Sequence, residues 1–351
     1  MNENCLMYFN LKGLRMQSTP PKVSIVIPVY NIGEVIIRTL ESIQAQTEQS
    51  FEVICVNDGS TDNGKTLAVL EACAAKDSRI RVVTQPNTGP AAARSNGLSL
   101  ARGKFFYACD QDDVLHPQLL EYSLWALEHY HAEFIAFRHQ TFYGESPSPQ
   151  PLPKDFETIP IIVADDSVRQ NTPKQYVQAH EIHTDNWIQF STTALARTYP
   201  FLADASLPRP FALLQKAERW VVSQAVLYFY NGGQENSMMH NTISLKKIAC
   251  QHTEVRLLFD LYTEEREKND PIGLWAHQRK WYIIKFLKIT FNMIRRGKSL
   301  SREERDLRLR AFTDILYEFF IEKKISFRDV SFRHKIAYLW LLFRFKFLKR
   351  T

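Results

Sequence analysis

No stretch of the 351-residue chain approaches the roughly 18 to 20 consecutive apolar residues that a bilayer-spanning helix requires, so a transmembrane protein is not expected. Cysteine is scarce. Cys5, Cys55, Cys73, Cys109 and Cys250 are scattered, odd in number and without CxxC or Cys/His spacing, which argues against a disulfide framework and a structural zinc site and leaves them as reduced thiols of a cytosolic core. No GxGxxG follows the first apolar run and no GxxxxGKS/T occurs anywhere. A dehydrogenase and a P-loop kinase are therefore disfavoured. The first 19 residues hold neither a signal-peptide apolar region nor a cleavage pattern, Met7 or Met16 could be the true start, and nothing directs export. Internal repeats and low-complexity tracts are missing as well.

What is present fits a globular chain: 45% apolar and 23% charged residues, with length enough for one or more full cores. The net charge of +6 is local. Residues 331–351 contain Arg333, Lys335, Arg344, Lys346, Lys349 and Arg350 and no carboxylate, so the remaining chain has as many cations as anions. A balanced body does not suggest a nucleic-acid groove, whereas a basic, aromatic terminus suggests an anionic membrane surface. Its longest apolar run, Ile336 to Phe343, is eight residues, too short to span. A helix there carries Trp340, Phe343 and Phe347 toward acyl chains while Arg and Lys stems reach headgroups; the alternative is packing against neighbouring helices.

Between residues 22 and 138, short β-branched or aromatic runs alternate with helical patterns. Strands are expected at Val23 to Val29, Phe51 to Val56, Ile80 to Val83, Lys104 to Cys109 and Glu133 to Phe137. Asn31 and Glu34 look like an N-cap and N3 pair opening a helix through Val35, Ile36, Leu40 and Ile43, and further helices are expected near 64–75, 90–101 and 117–130. The repetition predicts an α/β fold, a mostly parallel sheet with helices on both faces and a site at the carboxyl ends of its strands. From Tyr143 to Pro160 five prolines mark a loop or lid and a boundary, and from about Ser244 onward the pattern is long and helical.

Polar residues follow four successive strands: Pro28-Val29-Tyr30-Asn31, Asn57 to Asp62, Asn87-Thr88-Gly89-Pro90, and Asp110-Gln111-Asp112-Asp113. All four sets should converge on one edge. Asp58 can accept from a base N–H, exposed backbone around Tyr30 can flank the base, and the carboxylates of 110–113 are hard oxygen ligands for Mg2+ or Mn2+ bridging a diphosphate. Asp and Gly at strand ends are also ordinary turn formers. Three carboxylates within four residues repel one another, however, unless a cation or hydrogen bonds hold them, which favours the metal.

Taken together, VSIVIPVYN, FEVICVNDGS with TD following, PNTGPAAARSNGL and FFYACDQDD resemble, in order and spacing, family 2 glycosyltransferases of the GT-A fold, over residues 22–138. The resemblance implies that Asp58 contacts the nucleobase, that Arg94 reaches the nucleotide, and that the DQDD cluster handles ribose, diphosphate and a divalent metal. Asn57 stands where the family often has Asp. The implied organisation is an N-terminal extension over 1–21, a GT-A domain over 22–243 with a nucleotide-binding half (22–138) and an acceptor half (139–243), and a helical C-terminal domain over 244–351 with a basic amphipathic tail.

The acceptor half departs from the family pattern. Members commonly carry a Glu-Asp pair about ten residues before an LLxKAxR-like helix, its Asp being the general base; here the helix is Leu213 to Arg219 and the pair's place holds Ala205-Ser206. Asp204 is the nearest candidate base, and Asp185 precedes Trp187 in HTDNWIQFSTTAL, which replaces a WNKLYRR-like strand. Tyr228-Phe229-Tyr230-Asn231 resembles the family's YYYR, with Asn231 in place of an Arg that helps hold diphosphate; Lys246, Lys247 or the metal would have to compensate. His240 is a further candidate metal ligand.

The expected protein is a cytoplasmic transferase, peripheral at the inner face of the plasma membrane. It would move a sugar, with inversion, from a nucleotide-diphosphate donor, UDP being the expected nucleotide, to a hydroxyl of a surface glycan or its lipid-linked precursor. The rival is a nucleotide-sugar-binding scaffold subunit that has lost its base.

Overall fold

In the computed structural model the described residues are 20–164, 189–199, 201, 209, 213 and 216–233. Asp185, Asp204, His240, Lys246, Lys247 and the region from 244 to 351, for which a helical, basic pattern was expected, lie outside them.

The expected alternation is realised. Strands β1 (Val23–Val29), β2 (Phe51–Asp58), β3 (Ile80–Gln85) and β4 (Phe105–Ala108) form a wholly parallel block in the order β3-β2-β1-β4. They are joined through α1 (Ile36–Gln44), α2 (Lys65–Lys76) and α3 (Pro90–Leu100). Every residue of β1 and β2 is buried, as central strands covered on both faces must be. Alternate side chains divide between two cores. Ile25, Ile27, Val53 and Cys55 meet Leu40 and Ile43 of α1 and Leu70 of α2 on one face. Val26, Ile54 and Val56 meet Ala93 and Leu98 of α3 on the other. Gly97 lets α3 lie against β1, since a Cβ there would sit 2.3 Å from Val26 Cγ1. Cys55 and Cys109 are buried free thiols and Cys73 is half-buried.

The rest of the sheet is mixed. It contains β5 (Val114–Leu115), β6 (Phe134–Phe142), β7 (Ile161–Ala164), β8 (Gln189–Thr192) and β9 (Trp220–Asn231), with helices α4 (Leu119–His129) and α5 (Thr193–Arg197). β8 enters between β4 and β6, antiparallel to both, so that Ser191 faces Phe106 on one side and Phe134 on the other. β9 runs parallel to β6, and its other edge takes β7 along Trp220 to Ser223 and β5 at Tyr228 and Phe229. The parallel ladders hold most paired positions, but four of the eight ladders are antiparallel. Among the described residues no helix is long and apolar enough to cross a membrane.

One local expectation is corrected. Asn31 does not cap a helix: it takes a left-handed conformation (φ 47°), and its side chain pairs with Thr61, Oδ1 accepting the Thr61 N–H at 2.7 Å and Nδ2 donating to Oγ1 at 3.1 Å. The free N–H groups of Ile32 and Gly33 find the Thr66 hydroxyl instead, so capping comes from a neighbouring element that sequence spacing does not reveal. The proline-rich segment 143–160 is the expected loop, irregular apart from a 3-10 turn at Phe156–Thr158, and parts of it are tied to the core. Phe156 packs edge-on against Tyr122 at 5.1 Å between ring centres, Ile159 is buried, and the His116 ring holds Gln150 C=O from Nε2 at 3.0 Å. His116 Nδ1 accepts from Gln118 N–H, which leaves the proton on Nε2, and burial lowers the imidazole pKa.

Candidate active site

The strand order sets the place. β2 and β3 lie on one side of β1 and β4 on the other, so the chain reverses direction beside β1 and a crevice opens at the carboxyl ends of β1 and β4. The β1–β4 register stops at Val26 opposite Ala108. Val26 C=O accepts from Cys109 N–H at 3.0 Å, so Pro28, two residues on, faces the same edge without an N–H to continue the ladder. Val29 stays buried and the Tyr30 ring emerges, 40% exposed. The Tyr30 backbone, expected to be open, is engaged by the Gln111 side chain.

Asp58 closes β2, buried and turned onto the next loop. Its Oδ1 accepts from Thr88 N–H at 2.9 Å and Gln85 Nε2 at 2.8 Å, and its Oδ2 accepts from Gly89 N–H at 2.8 Å. Gly89 holds φ 95° and ψ 161°, a region open in practice to glycine alone, and from it α3 starts with Pro90 at its first position. One turn along α3, Arg94 donates from Nη2 to Asp110 Oδ1 across the crevice, while its buried Nε–H has no partner. Behind it Arg209 is buried with its guanidinium 3.9 Å from the centre of the Phe201 ring; burial, reinforced by the Arg94 charge, brings it down to about 9.

The Asp110–Asp113 turn is fastened from two sides. From α1, Thr39 Oγ1 donates to Gln111 C=O at 3.0 Å, Arg38 Nη2 donates to Asp112 C=O at 3.1 Å, and Ser42 Oγ accepts from Leu115 N–H at 3.1 Å. From β9, the Tyr228 hydroxyl accepts from Asp110 N–H at 3.2 Å and donates to Asp113 Oδ2, and Asn231 N–H donates to Asp113 Oδ1 at 2.7 Å. Asp113 is thereby fully buried with both oxygens engaged, away from the open edge where it was expected beside the metal. Burial, with the charges of Asp110 and Asp112 adding, pushes its carboxyl well above the ordinary range. Apart from its own backbone N–H, no described group donates to the Asp112 carboxylate, which burial and then the Asp110 charge raise to about 6.

That donor set suits a hard divalent cation. Among the described residues no three His, Cys, Asp or Glu side chains cluster closely enough to hold a metal alone. Two carboxylates, with phosphate and water completing the shell, are what Mg2+ or Mn2+ ordinarily takes beside a nucleotide. A half-buried carboxylate crowded by like charge and left without a donor fits the same role.

The crevice thus brings together Tyr30, Asp58, Gly89, Arg94, Asp110, Gln111 and Asp112, whereas Pro28 is buried within β1 and Val29 lies in the core. Asp204 and His240 lie outside the described residues. Asn231 turns its side chain onto its own loop, Oδ1 accepting from Gly233 N–H at 3.1 Å. Arg38, Thr39 and Ser42 were not foreseen, because a polar stripe on a helix looks the same whether it meets solvent or a loop. Tyr228 stood within a recognised segment, but nothing in its spacing revealed where its hydroxyl would fall.

The architecture is shared with solved glycosyltransferases. S. aureus TarS 1-349 in complex with UDP-GlcNAc superposes with a TM-score of 0.59 at 20% identity, over 84% of this chain and 81% of that one. The mannosyltransferase PcManGT from Pyrobaculum calidifontis, in complex with GDP-Man and Mn2+, gives 0.50 at 14% identity, over 86% and 81%. The model of the family "Glycosyl transferase family 2" matches residues 24–197, and the chain belongs to that family. Among curated relatives, the glycosyltransferase GlyG of Streptococcus pneumoniae is 39% identical over 100 residues, 28% of this chain and 33% of GlyG. The matched stretch is thus only a third of that relative's length.

Proposed function

We propose that this chain is a metal-dependent glycosyltransferase that moves a sugar from a nucleoside diphosphate, UDP in the first instance, to an acceptor hydroxyl of a surface polysaccharide or its lipid-linked precursor. The observation that carries the reading is the convergence of Asp58, Gly89, Arg94, Asp110 and Asp112 on the crevice where β1 and β4 part. TarS with UDP-GlcNAc and PcManGT with GDP-Man and Mn2+, which share the fold, support a nucleotide-sugar ligand.

Tyr30 offers an exposed ring as one wall for the base, and the acceptor capacity that Asp58 Oδ2 keeps beside its bond from Gly89 N–H favours a base edge bearing N–H, as uracil does and cytosine N3 does not. Arg94 sets its cation beside Asp110, where ribose and diphosphate are to lie. Mn2+ or Mg2+, held by Asp110 and Asp112, would neutralise charge on the departing diphosphate. In the transfer the acceptor oxygen bonds to the anomeric carbon, the bond from that carbon to the diphosphate oxygen breaks with inversion, and the acceptor proton passes to a base. Asp204 is the candidate base. The basic tail, 331–351, is proposed to hold the protein at an anionic membrane face on the cytoplasmic side.

Calorimetry tests the reading directly. UDP affinity should rise with Mn2+ or Mg2+, fall on Asp112→Ala and exceed that for CDP; equal affinity in EDTA, or a preference for CDP, refutes it. The scaffold reading is favoured by Ala205-Ser206 at the place of the expected carboxylate pair. It predicts UDP binding without donor hydrolysis or transfer, whereas an active enzyme should lose turnover, but not UDP affinity, on Asp204→Asn.

A further inference from the structure

We propose that Tyr228 is a positioning residue for the crevice carboxylates and that Asp113 is its strut rather than a metal ligand. The inference rests on the reading of Asp110 and Asp112 as the carboxylates that meet metal and diphosphate. One phenol oxygen connects the two ends of the turn that carries them, accepting from Asp110 N–H at 3.2 Å and donating to Asp113 Oδ2. Tyr228 and Asp113 are both fully buried, and the second Asp113 oxygen takes Asn231 N–H at 2.7 Å, so neither group reaches the crevice.

The other fastenings follow the same division. Arg38 and Thr39 hold the carbonyls of Asp112 and Gln111, and Ser42 holds Leu115 N–H, all of them backbone groups. No described residue donates to the Asp112 carboxylate except its own N–H. The turn is therefore fixed through its backbone and through Asp113, and the Asp112 oxygens are left for a ligand. β9 supplies this support because Tyr228 pairs with Leu115 on one edge and His139 on the other, which sets the phenol directly behind the turn. Displacement of a reacting group by about 1 Å can cost on the order of a hundredfold in rate, so the support has a functional consequence that core packing does not.

The test is UDP binding by full-length protein in Mn2+ and in EDTA, with Mn2+ followed separately by EPR. Tyr228→Phe keeps the ring and removes the oxygen. It should weaken UDP binding in Mn2+, and Mn2+ binding itself, about tenfold, and leave UDP binding in EDTA within about twofold of wild type, since Asp58 and Gly89 are held by other bonds. Asp113→Asn should keep most of the Mn2+ dependence that Asp112→Asn abolishes. Unchanged Mn2+ dependence in Tyr228→Phe, or equal losses with and without metal, overturns the positioning role. If Tyr228→Phe does not fold, the Asn pair decides: Asp113→Asn abolishing Mn2+ dependence as completely as Asp112→Asn overturns the proposal. A wild-type protein that binds UDP equally in Mn2+ and EDTA overturns the underlying reading of the carboxylates, and is distinguishable from a metal-dependent wild type with an unaffected variant.

Discussion

Gln111 gives Tyr30 the pair of hydrogen bonds that an adjoining strand would: its Oε1 accepts Tyr30 N–H at 2.8 Å and its Nε2 donates to Tyr30 C=O at 3.3 Å. The amide begins where the β1–β4 ladder ends, so the exposed Tyr30 ring is mounted on a side chain from the carboxylate turn. Each such bond contributes roughly 0.5–1.5 kcal/mol net. Gln111→Ala is accordingly expected to lower the melting temperature by a few degrees and to weaken UDP binding about tenfold in calorimetry. An unchanged affinity would separate Tyr30 from the nucleotide.

Asp58 and Gly89 act on one turn. In Asp58→Asn an amide has a single oxygen for the two N–H groups of Thr88 and Gly89, and its NH2 meets a donor in a buried place. The loss is about 1–3 kcal/mol, and Gly89→Ala at φ 95° costs a similar amount in backbone strain. Both variants should show lower denaturation midpoints and weaker UDP binding. Because the damage is shared, the double variant should be destabilised by less than the sum; strict additivity would show the two to be independent.

The contact of α3 with β1 makes Gly97 intolerant of size. Gly97→Ala brings Cβ to 2.3 Å and 2.9 Å from the two methyls of Val26, an overpacking cost of about 1–3 kcal/mol. Val26→Ala alone leaves a cavity, but combined with Gly97→Ala it provides room for the new methyl. Urea denaturation should find the double variant more stable than the two single effects predict.

Asp77 carries a pH signature away from the crevice. Arg79 binds it through Nη2 at 2.7 Å and Nε at 3.0 Å, and this, ahead of the opposing burial, holds the carboxyl at about 2 instead of 3.8. A carboxyl whose folded pKa is depressed contributes stability above its unfolded pKa and loses it as pH falls through the folded one. With solvent screening the contribution is on the order of 1–2 kcal/mol. The difference in stability between wild type and Asp77→Asn should be constant above about pH 5 and vanish between about pH 4 and 2; a constant difference across that range would remove the ion pair as its source.

Much of the first block was legible because its information is local. Val23 to Val29 and Phe51 to Val56 are apolar at every position except Ser24 and Glu52, a pattern that a strand covered on both faces explains, and the Asp-rich and Gly-rich stretches fall just where those strands end. β8 and β9 were harder to read. β8 is four residues long, and its partners in β4 and β6 are more than fifty residues away, so its identity as a central strand depends on long-range pairing. Within the site, residue identity pointed to Asp58 and to the carboxylates of 110–113, and the family resemblance to Arg94, but nothing separated the roles of Asp110, Asp112 and Asp113. Neighbouring carboxylates look alike until β9 is in place to bury one of them.

The insertion of β8 also sets an order of assembly. During synthesis β4 and β6 exist long before residues 189–192 emerge to join them, so the nascent chain holds one incomplete sheet, β3-β2-β1-β4, with an unsatisfied border at β4, and a β6 that has no partner strand. Closure over such separations is slow, and open strand borders invite pairing between chains. A ribosome-bound or truncated chain ending at residue 164 should therefore depend on chaperones and self-associate, whereas one extended past β9 should be released as a monodisperse species.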